Sequence, residues 1–364
     1  MKHTLSLVVL TFGLVASAMG QGRQVVHIYN WSDYIAPSVL QAFTAETGIR
    51  VVYDVYDSNE ILEAKLLTGS SGYDVVFPTA RPFAARQVTA GAYRPLDRSQ
   101  LPNLVHLDAD LMADLATIDP GNAHLLPYMW GTTGIGLVEE AVRARLGDDF
   151  ELDSWDLIFD PVVAAKLAGC GIAILDAALD ALPAALFWLG LDPSRQEQDD
   201  VEAATRAFLG ARPHVRYFHS SQYINDLANG DICVAMGYSG DVLQAAARAE
   251  ETNRSHTVRY VIPREGAMIW TDVIAIPRDA PHPEAAHAFI NYLLRPEVIA
   301  EISNYVAYAN GNSAATELLD ESIREDQGIY PSDEVRAKLR SMRLLTPMEL
   351  RERTRAWTRI RRGR

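Results

Sequence analysis

The sequence predicts an α/β protein of two lobes, and three observations carry that prediction. At 364 residues the chain is too long for one ordinary hydrophobic core. Two separate stretches alternate between the period of a strand and that of a helix. No flexible linker, low-complexity tract or internal repeat separates them, so the chain is expected to pass between the lobes more than once and to hinge stiffly. The expected division is 21–130 with 256–303 for the first lobe, and 131–255 with 304–364 for the second.

The first alternation opens on the short apolar strand Val25 to Tyr29. Val39, Leu40 and Phe43 follow at helical spacing, with Gly48 at a helix C-cap. Val51 to Val55 is a second strand, Ile61, Leu62, Leu66 and Leu67 a second helix closed by Gly69, and Tyr73 to Phe77 a third strand stopped by Pro78. This order implies a parallel sheet with right-handed crossovers. The second alternation contains strands at Ile172–Leu175, Ile232–Met236 and Val273–Ile276, with helices over Val242–Glu250, Glu284–Leu294 and Pro296–Asn304.

Met1 to Gly20 reads as a secretory signal: Lys2 and His3, the apolar run Leu5 to Val15, then the small residues Ala16-Ser17-Ala18. The run is short for a membrane span, and a retained anchor is the alternative. No cysteine lies near the cut to carry a lipid. The composition, 48% apolar and 22% charged, is that of a folded chain. Its net charge of −14 becomes −15 without Lys2, and near −21 for the body that precedes the seven arginines and one glutamate of Arg351 to Arg364. Such acidity excludes nucleic acid as the expected partner and suits cationic ligands, although most of the carboxylates simply solvate the surface. Cys170 and Cys233 are the two cysteines. In an exported chain an even count points to one disulfide, with two buried thiols as the alternative.

In open parallel sheets, ligands sit beyond the carboxyl ends of the strands. Loops at such edges pair aromatic rings with acids: Trp31, Asp33 and Tyr34; Tyr238 and Asp241; Trp270 and Asp272, with Tyr308 as a further ring. A polyamine is a methylene chain punctuated by ammonium groups. Rings cover the methylenes and attract the cations by roughly 0.5–2 kcal/mol each, and carboxylates add charge-assisted hydrogen bonds. Each fragment also has an ordinary explanation. Ser32, Asp33 or Asp241 can cap a helix, and Trp31 or Trp270 can fill a core. Three such pairs at equivalent positions favour one shared site.

The runs Ile28-Tyr29-Asn30-Trp31-Ser32-Asp33-Tyr34-Ile35, Val52 to Glu60, Pro127 to Gly134, Tyr217 to Asp226 with Gly230 to Ala235, and Arg353 to Thr358 closely resemble the periplasmic putrescine/spermidine-binding proteins of ABC uptake systems. The resemblance covers essentially all of the chain after the signal and is nearest to the putrescine-binding branch. It implies the two-lobed periplasmic binding fold of the crossed-over type (type II), a monomer that captures a polyamine for an inner-membrane ABC permease, and no enzymatic activity. It places ligand contacts on Trp31, Ser32, Asp33, Tyr34, Thr79, Ser220, Tyr238, Asp241, Trp270, Asp272 and Tyr308, and a disulfide on Cys170 and Cys233. No cofactor and no metal are expected.

Several positions depart from the branch. Thr79 stands for Ser, Tyr238 for Trp and Trp270 for Phe, as in spermidine-preferring relatives. Leu179 stands for a ligand-contacting Glu, a lost anion unless Asp176 or Asp180 reaches in. Arg81 brings a cation beside the cleft that would repel one end of a long polyamine. Other motifs carry less. Gly134-Ile135-Gly136 lacks the third glycine of a dinucleotide site and reads as a lobe-crossing turn. His282 with His287 could be drawn as a metal pair, but histidines beside proline in a loop are expected to be simply exposed. The Ser220-Ser221 pair has His219 beside it in sequence, but adjacent side chains in an extended segment point apart, so no nucleophile–base pair is expected. The arginine-rich tail is expected to be a solvated, poorly ordered end.

Overall fold

The computed structural model describes residues 24–195 and 197–363. The expected signal, 1–20, lies outside them. The first sheet is parallel, in the order β2 (Arg50–Tyr56), β1 (Val25–Trp31), β3 (Val75–Val76). β1 and β2 run in register from Val25 opposite Arg50 to Trp31 opposite Tyr56. The connecting helix Pro37–Thr47 starts with proline in its first turn, where a missing N–H costs nothing, and ends at Gly48 with φ 74°. β3 is shorter than the sequence suggested, two residues; just before it, Asp74 N donates to His27 O at 2.7 Å while the Asp74 carboxylate accepts His27 N.

The second sheet is built around β4 (Leu126–Val138), whose thirteen residues are all buried. The other strands are β5 (Ile172–Ile174), β6 (Val215–Phe218), β7 (Val234–Tyr238), β8 (Val258–Val261), β9 (Ala267–Ile274), β10 (Ala309–Asn310) and β11 (Leu339–Ser341). Their order is β11-β9-β4-β7-β5-β6, with β8 and β10 also on β4. Along β4, Leu126 faces Ile274 of β9 and Thr133 faces Met268, while Leu137 faces Val234 of β7.

Two cores flank this sheet. The first gathers Val26, Ile28, Phe43, Phe77, Ile274, Phe289 and Val306. The second gathers Ile135, Trp155, Ile172, Val234, Met236, Phe208 and Ile360. β4 and β9 each have one end in either core, so two antiparallel strands, hydrogen-bonded to each other, carry the chain between lobes. The returns fall later than the sequence suggested. Val258 packs in the second core, whereas Val306, Tyr308, Ala315 and Leu319 pack in the first. A crossing strand is apolar along its whole length, so its sequence does not mark where one lobe gives way to the other.

Two other expectations are corrected. Gly134 and Gly136 lie inside β4 and not in a turn; a Cβ on Gly134 would meet Val261 O at 2.5 Å, and one on Gly136 the Val242 side chain at 2.7 Å. Close packing, not chain reversal, requires glycine there. The arginine-rich tail is not a loose end but the helix Pro347–Arg362, opened by a Thr346/Glu349 capping box. Trp357 fixes it edge-on to Phe208 and Phe218 at 5.5 Å each, and Arg359 pairs with Glu202 at 2.7 Å.

Cys170, beyond the helix Pro161–Leu167, is bonded to Cys233 at the entrance to β7, with Cα atoms 5.5 Å apart. The pair closes a segment of 63 residues, for which loss of unfolded-chain entropy corresponds to about 4 kcal/mol. The Cys170→Ala/Cys233→Ala double variant is therefore expected to lose about 2–4 kcal/mol of stability in urea unfolding. An unchanged midpoint and slope would show that the bridge contributes nothing.

Candidate ligand-binding cleft

One cavity, of about 1030 Å³ counting the space open to solvent, lies between the lobes. The ends of β1 and β3 and the middle of β9 bring first-lobe residues to it; the end of β7 and the loop after β6 bring second-lobe residues. Ten of the eleven predicted positions line it: Trp31, Ser32, Tyr34, Thr79, Ser220, Tyr238, Asp241, Trp270, Asp272 and Tyr308.

Asp33 is the exception. Its backbone is left-handed, φ 54°, which turns the carboxylate out of the cavity and onto Arg248 at 2.7 Å. Arg248 belongs to the helix Ser239–Glu251, which packs Val242 and Ala245 in the second core. The ion pair therefore bridges the lobes at the rim. Gln244 of the same helix donates to Val306 O at 3.1 Å, a second tie across the boundary.

The rings meet edge to face. Trp270 lies 5.6 Å from Tyr238 at 84° and 5.4 Å from Tyr308 at 63°, and Tyr34 meets Tyr308 at 5.2 Å and 81°. Trp31 is held by its indole N–H on Phe77 O, 2.9 Å, and by the Tyr56 ring at 4.7 Å. Rings braced on one another keep their orientation with the cleft open.

Hydroxyls, not cations, hold the acids in place. Tyr223 and Tyr308 each donate to Asp241 at 2.7 Å. Thr79 donates to Asp272 at 2.7 Å and is itself fixed by Asn59, which donates to its oxygen at 2.9 Å. The Tyr34 hydroxyl, close enough to favour the Asp272 anion, makes no hydrogen bond of ordinary geometry.

Sequence reasoning had left a gap at Leu179, and the structure fills it from the next position. Asp180 lines the cavity and accepts the Tyr238 hydroxyl at 3.3 Å. Asp176 is already engaged, by the Trp357 indole at 2.8 Å and Arg361 at 2.8 Å. The feared cation is neutralised locally. Arg81 donates to Asp114 at 2.5 Å and to Thr117 at 2.7 Å. Among the described lining residues Arg81 is the one cation; Asp180, Asp241 and Asp272 make no ion pair, although Arg248 at the rim favours the Asp241 anion.

Burial pushes Asp272 up to about 7, against the pull of its Thr79 hydrogen bond. Burial, then the like charge of Glu60, pushes Asp180 up to about 7. Asp241 rises to about 6 through burial, opposed by its two tyrosine donors.

Residues 38–329 match the family model of the bacterial extracellular solute-binding proteins. The chain belongs to that family. It is 53% identical over 360 residues to the putrescine-binding periplasmic protein SpuD of Pseudomonas aeruginosa, covering 99% of this chain and 98% of the relative. With the putrescine-binding periplasmic protein PotF of Escherichia coli it shares 51% over 360 residues, 96% of this chain and 97% of the relative. Among solved structures, the spermidine/putrescine ABC transporter substrate-binding protein PotD of Streptococcus pneumoniae superposes with a TM-score of 0.74 at 27% identity, covering 93% of this chain and 99% of that one. Family membership accounts for the two lobes and the cleft between them; the three unpaired acids concern what the cleft holds.

Those acids give a signed expectation for stability. Unfolded carboxylates titrate near about 3.9, and Asp272 in the fold near about 7. Between those values the folded state holds more protons, so this residue's contribution to ligand-free stability declines as pH rises and levels off above about 7. Asp272→Asn should therefore stabilise the ligand-free protein, by an increment that grows from about pH 4 to about pH 7 and then stays constant. Urea midpoints of the two proteins across that range test it. A variant less stable than its parent at pH 8 would contradict the assignment.

Proposed function

We propose that the chain is a periplasmic solute-binding protein that captures an aliphatic polyamine between its lobes and delivers it to an ABC permease. The observation that carries this reading is the set of three desolvated carboxylates, none of them in an ion pair, edged by aromatic faces. Ammonium groups supply the missing charge, and methylenes take the ring faces. Trp31, Tyr34, Tyr238, Trp270 and Tyr308 form the apolar box. Asp272, Asp241 and Asp180 pair with the ammonium groups, while Ser32, Thr79 and Ser220 contribute hydroxyls. At 4 Å an ion pair has about 4 kcal/mol of attraction at an effective dielectric of 20, much of it offset by desolvation. Here the acids are already desolvated before the ligand arrives, so that part of the cost lies in the fold. The names of the relatives, both putrescine-binding, support the same class of ligand and a periplasmic site of action.

Closure follows from the two-sided lining. A ligand that touches Asp272 on the first lobe and Asp180 on the second binds the closed form better than the open one, and that difference drives closure. The Ser221 hydroxyl does lie 3.4 Å from His219 Nδ1 at the cavity wall, but the relatives are binding proteins by name, and the reading is capture and release without turnover.

Calorimetric titration with putrescine, cadaverine, agmatine and spermidine tests ligand class and ranking together. We expect micromolar or tighter binding of at least one, which corresponds to about −8 kcal/mol. Asp272→Ala should weaken it at least tenfold; an unchanged dissociation constant would remove Asp272 from the site. Because Asp180 and Asp272 titrate near about 7 in the empty cleft, binding at pH 7 should release protons, and affinity should fall as pH drops from 8 to 6. The enthalpy measured in buffers of different ionisation heat reads that release, and buffer-independent heats would count against the ammonium–carboxylate pairing.

A further inference from the structure

At the end of β1 remote from the cleft, three side chains from distant parts of the chain converge. His27 lies on β1, Asp74 just before β3, and His282 at the entrance to the helix Pro283–Leu293. Their ligand-type atoms all lie within 4.8 Å of one another. Both imidazoles direct Nδ1 at the same oxygen, Oδ2 of Asp74, at 3.3 Å from His27 and 3.1 Å from His282. The rings stand 5.4 Å apart and tilted by 32°. We propose that His27, Asp74 and His282 form a three-ligand site for a borderline divalent transition ion such as Zn²⁺, with solvent in the fourth position.

Ligand type, spacing and rigidity support this together. Two imidazoles with one carboxylate suit Zn²⁺, Co²⁺, Ni²⁺ or Cu²⁺, whereas Mg²⁺ and Ca²⁺ take sets made of oxygen alone. For Zn–N distances of 2.0–2.1 Å, the edge of a tetrahedron is about 3.3 Å, so both measured nitrogen-to-oxygen separations match a ligand edge before any movement. Asp74 is fully buried and held in place by backbone donors, His27 N on Oδ2 at 2.8 Å and His282 N on Oδ1 at 2.6 Å. Such contacts orient a ligating carboxylate. The histidines keep 29% and 39% side-chain exposure, so an ion and its water have a way in.

The alternative is a purely hydrogen-bonded trio in which each Nδ1 presents a proton to Asp74; the ion would take the place of those protons. From the sequence, His282 is considered with His287 and both are expected to be exposed. His287 is instead buried in the helix Pro283–Leu293 and accepts Asp97 N at 2.9 Å. The site is also separate from the cleft, since His27 and Trp31 are four residues apart on one strand, about 13 Å. An ion there ties the start of β1 to the helix that follows β9, within the first lobe only.

The test uses the untagged full mature chain with Co²⁺ and Zn²⁺ as probes. We expect one Co²⁺ per chain with the intense visible absorption of four-coordinate cobalt, displaced by Zn²⁺ but not by Mg²⁺ or Ca²⁺. His27→Gln and His282→Asn should each weaken Zn²⁺ at least tenfold in competition with a chelator, and abolish any rise in melting temperature that Zn²⁺ produces. Both variants leave the backbone donors to Asp74 in place, so circular dichroism and polyamine titration should match the parent. Asp272→Asn should bind Zn²⁺ as the parent does. Weak, unsaturable Co²⁺ binding, parental affinity in both histidine variants, or loss of the ion with Asp272→Asn would each overturn the site.

Discussion

Desolvation of Asp180, Asp241 and Asp272 is the constraint around which the cleft is arranged. Burying a carboxylate without a cation is costly, and a protein ordinarily relieves that cost with an arginine or a lysine. Here the relief comes from hydroxyls of Tyr223, Tyr308, Thr79 and Tyr238. A hydroxyl contributes about 1 kcal/mol and fixes the orientation of the oxygen it serves, but it cancels no charge. The acids are thus aimed and left unneutralised. The rings that desolvate them form the apolar surface of the same cavity, so one set of side chains raises the carboxylates toward neutrality and supplies the surface for a hydrocarbon chain. At neutral pH such acids stand near the balance between a proton and an organic cation.

The strand arrangement makes that cavity a joint between two bodies. β4 and β9 pair with each other while passing from one core to the other, so two of the three crossings between the lobes are paired strands, and the third lies between Leu319 and Met342. A hinge of paired strands permits bending but resists sliding, which keeps Trp270 and Asp272, both on β9, at the floor of the cleft in any state of closure. The Asp33–Arg248 pair sits at the rim and joins the lobes from outside. Being half exposed, it contributes little to stability by itself. Its value is positional: it closes the solvent side over the Tyr34 and Asp241 end of the cavity.

Much of this was legible in the chain. Strands of period two, helices of period 3.6 and glycine C-caps located the elements, and the rule for ligand loops placed Trp31, Tyr34, Tyr238 and Asp241 at sheet edges. What was not legible had one physical character, dependence on backbone direction or on distant chain. Asp33 sits between two lining residues, yet a single left-handed φ sends it outward. Gly134 and Gly136 resemble a turn until Tyr260, Val261 and Val242 are packed against them. His27 and Asp74 are 47 residues apart, and Asp74 and His282 are 208. No spacing pattern joins residues at such separations. Seven arginines in a tail suggested loose solvated chain, and the apolar contacts of Trp357 and Ile360 order it instead.

The departures from the putrescine-binding pattern are compensated at short range, and the manner of compensation bears on selectivity. Arg81 brings a positive charge toward the cleft, and Asp114 and Thr117 fix it against their own side of the wall. Leu179, where the resemblance implies an acid, is apolar, and the next residue, Asp180, lies in the first turn of the helix Ala178–Trp188, where the helix dipole favours an anion. A shift of one residue along a helix moves a side chain by about 1.5 Å along the axis and about 100° around it. Asp180 is the acid that this helix presents to the cavity. On the polyamine reading, the spacing of ammonium groups that fits best changes with its place, while the apolar Leu179 extends the surface for methylenes. Selectivity within the class then rests less on how many acids face the cleft than on where the Asp180 carboxylate stands along it.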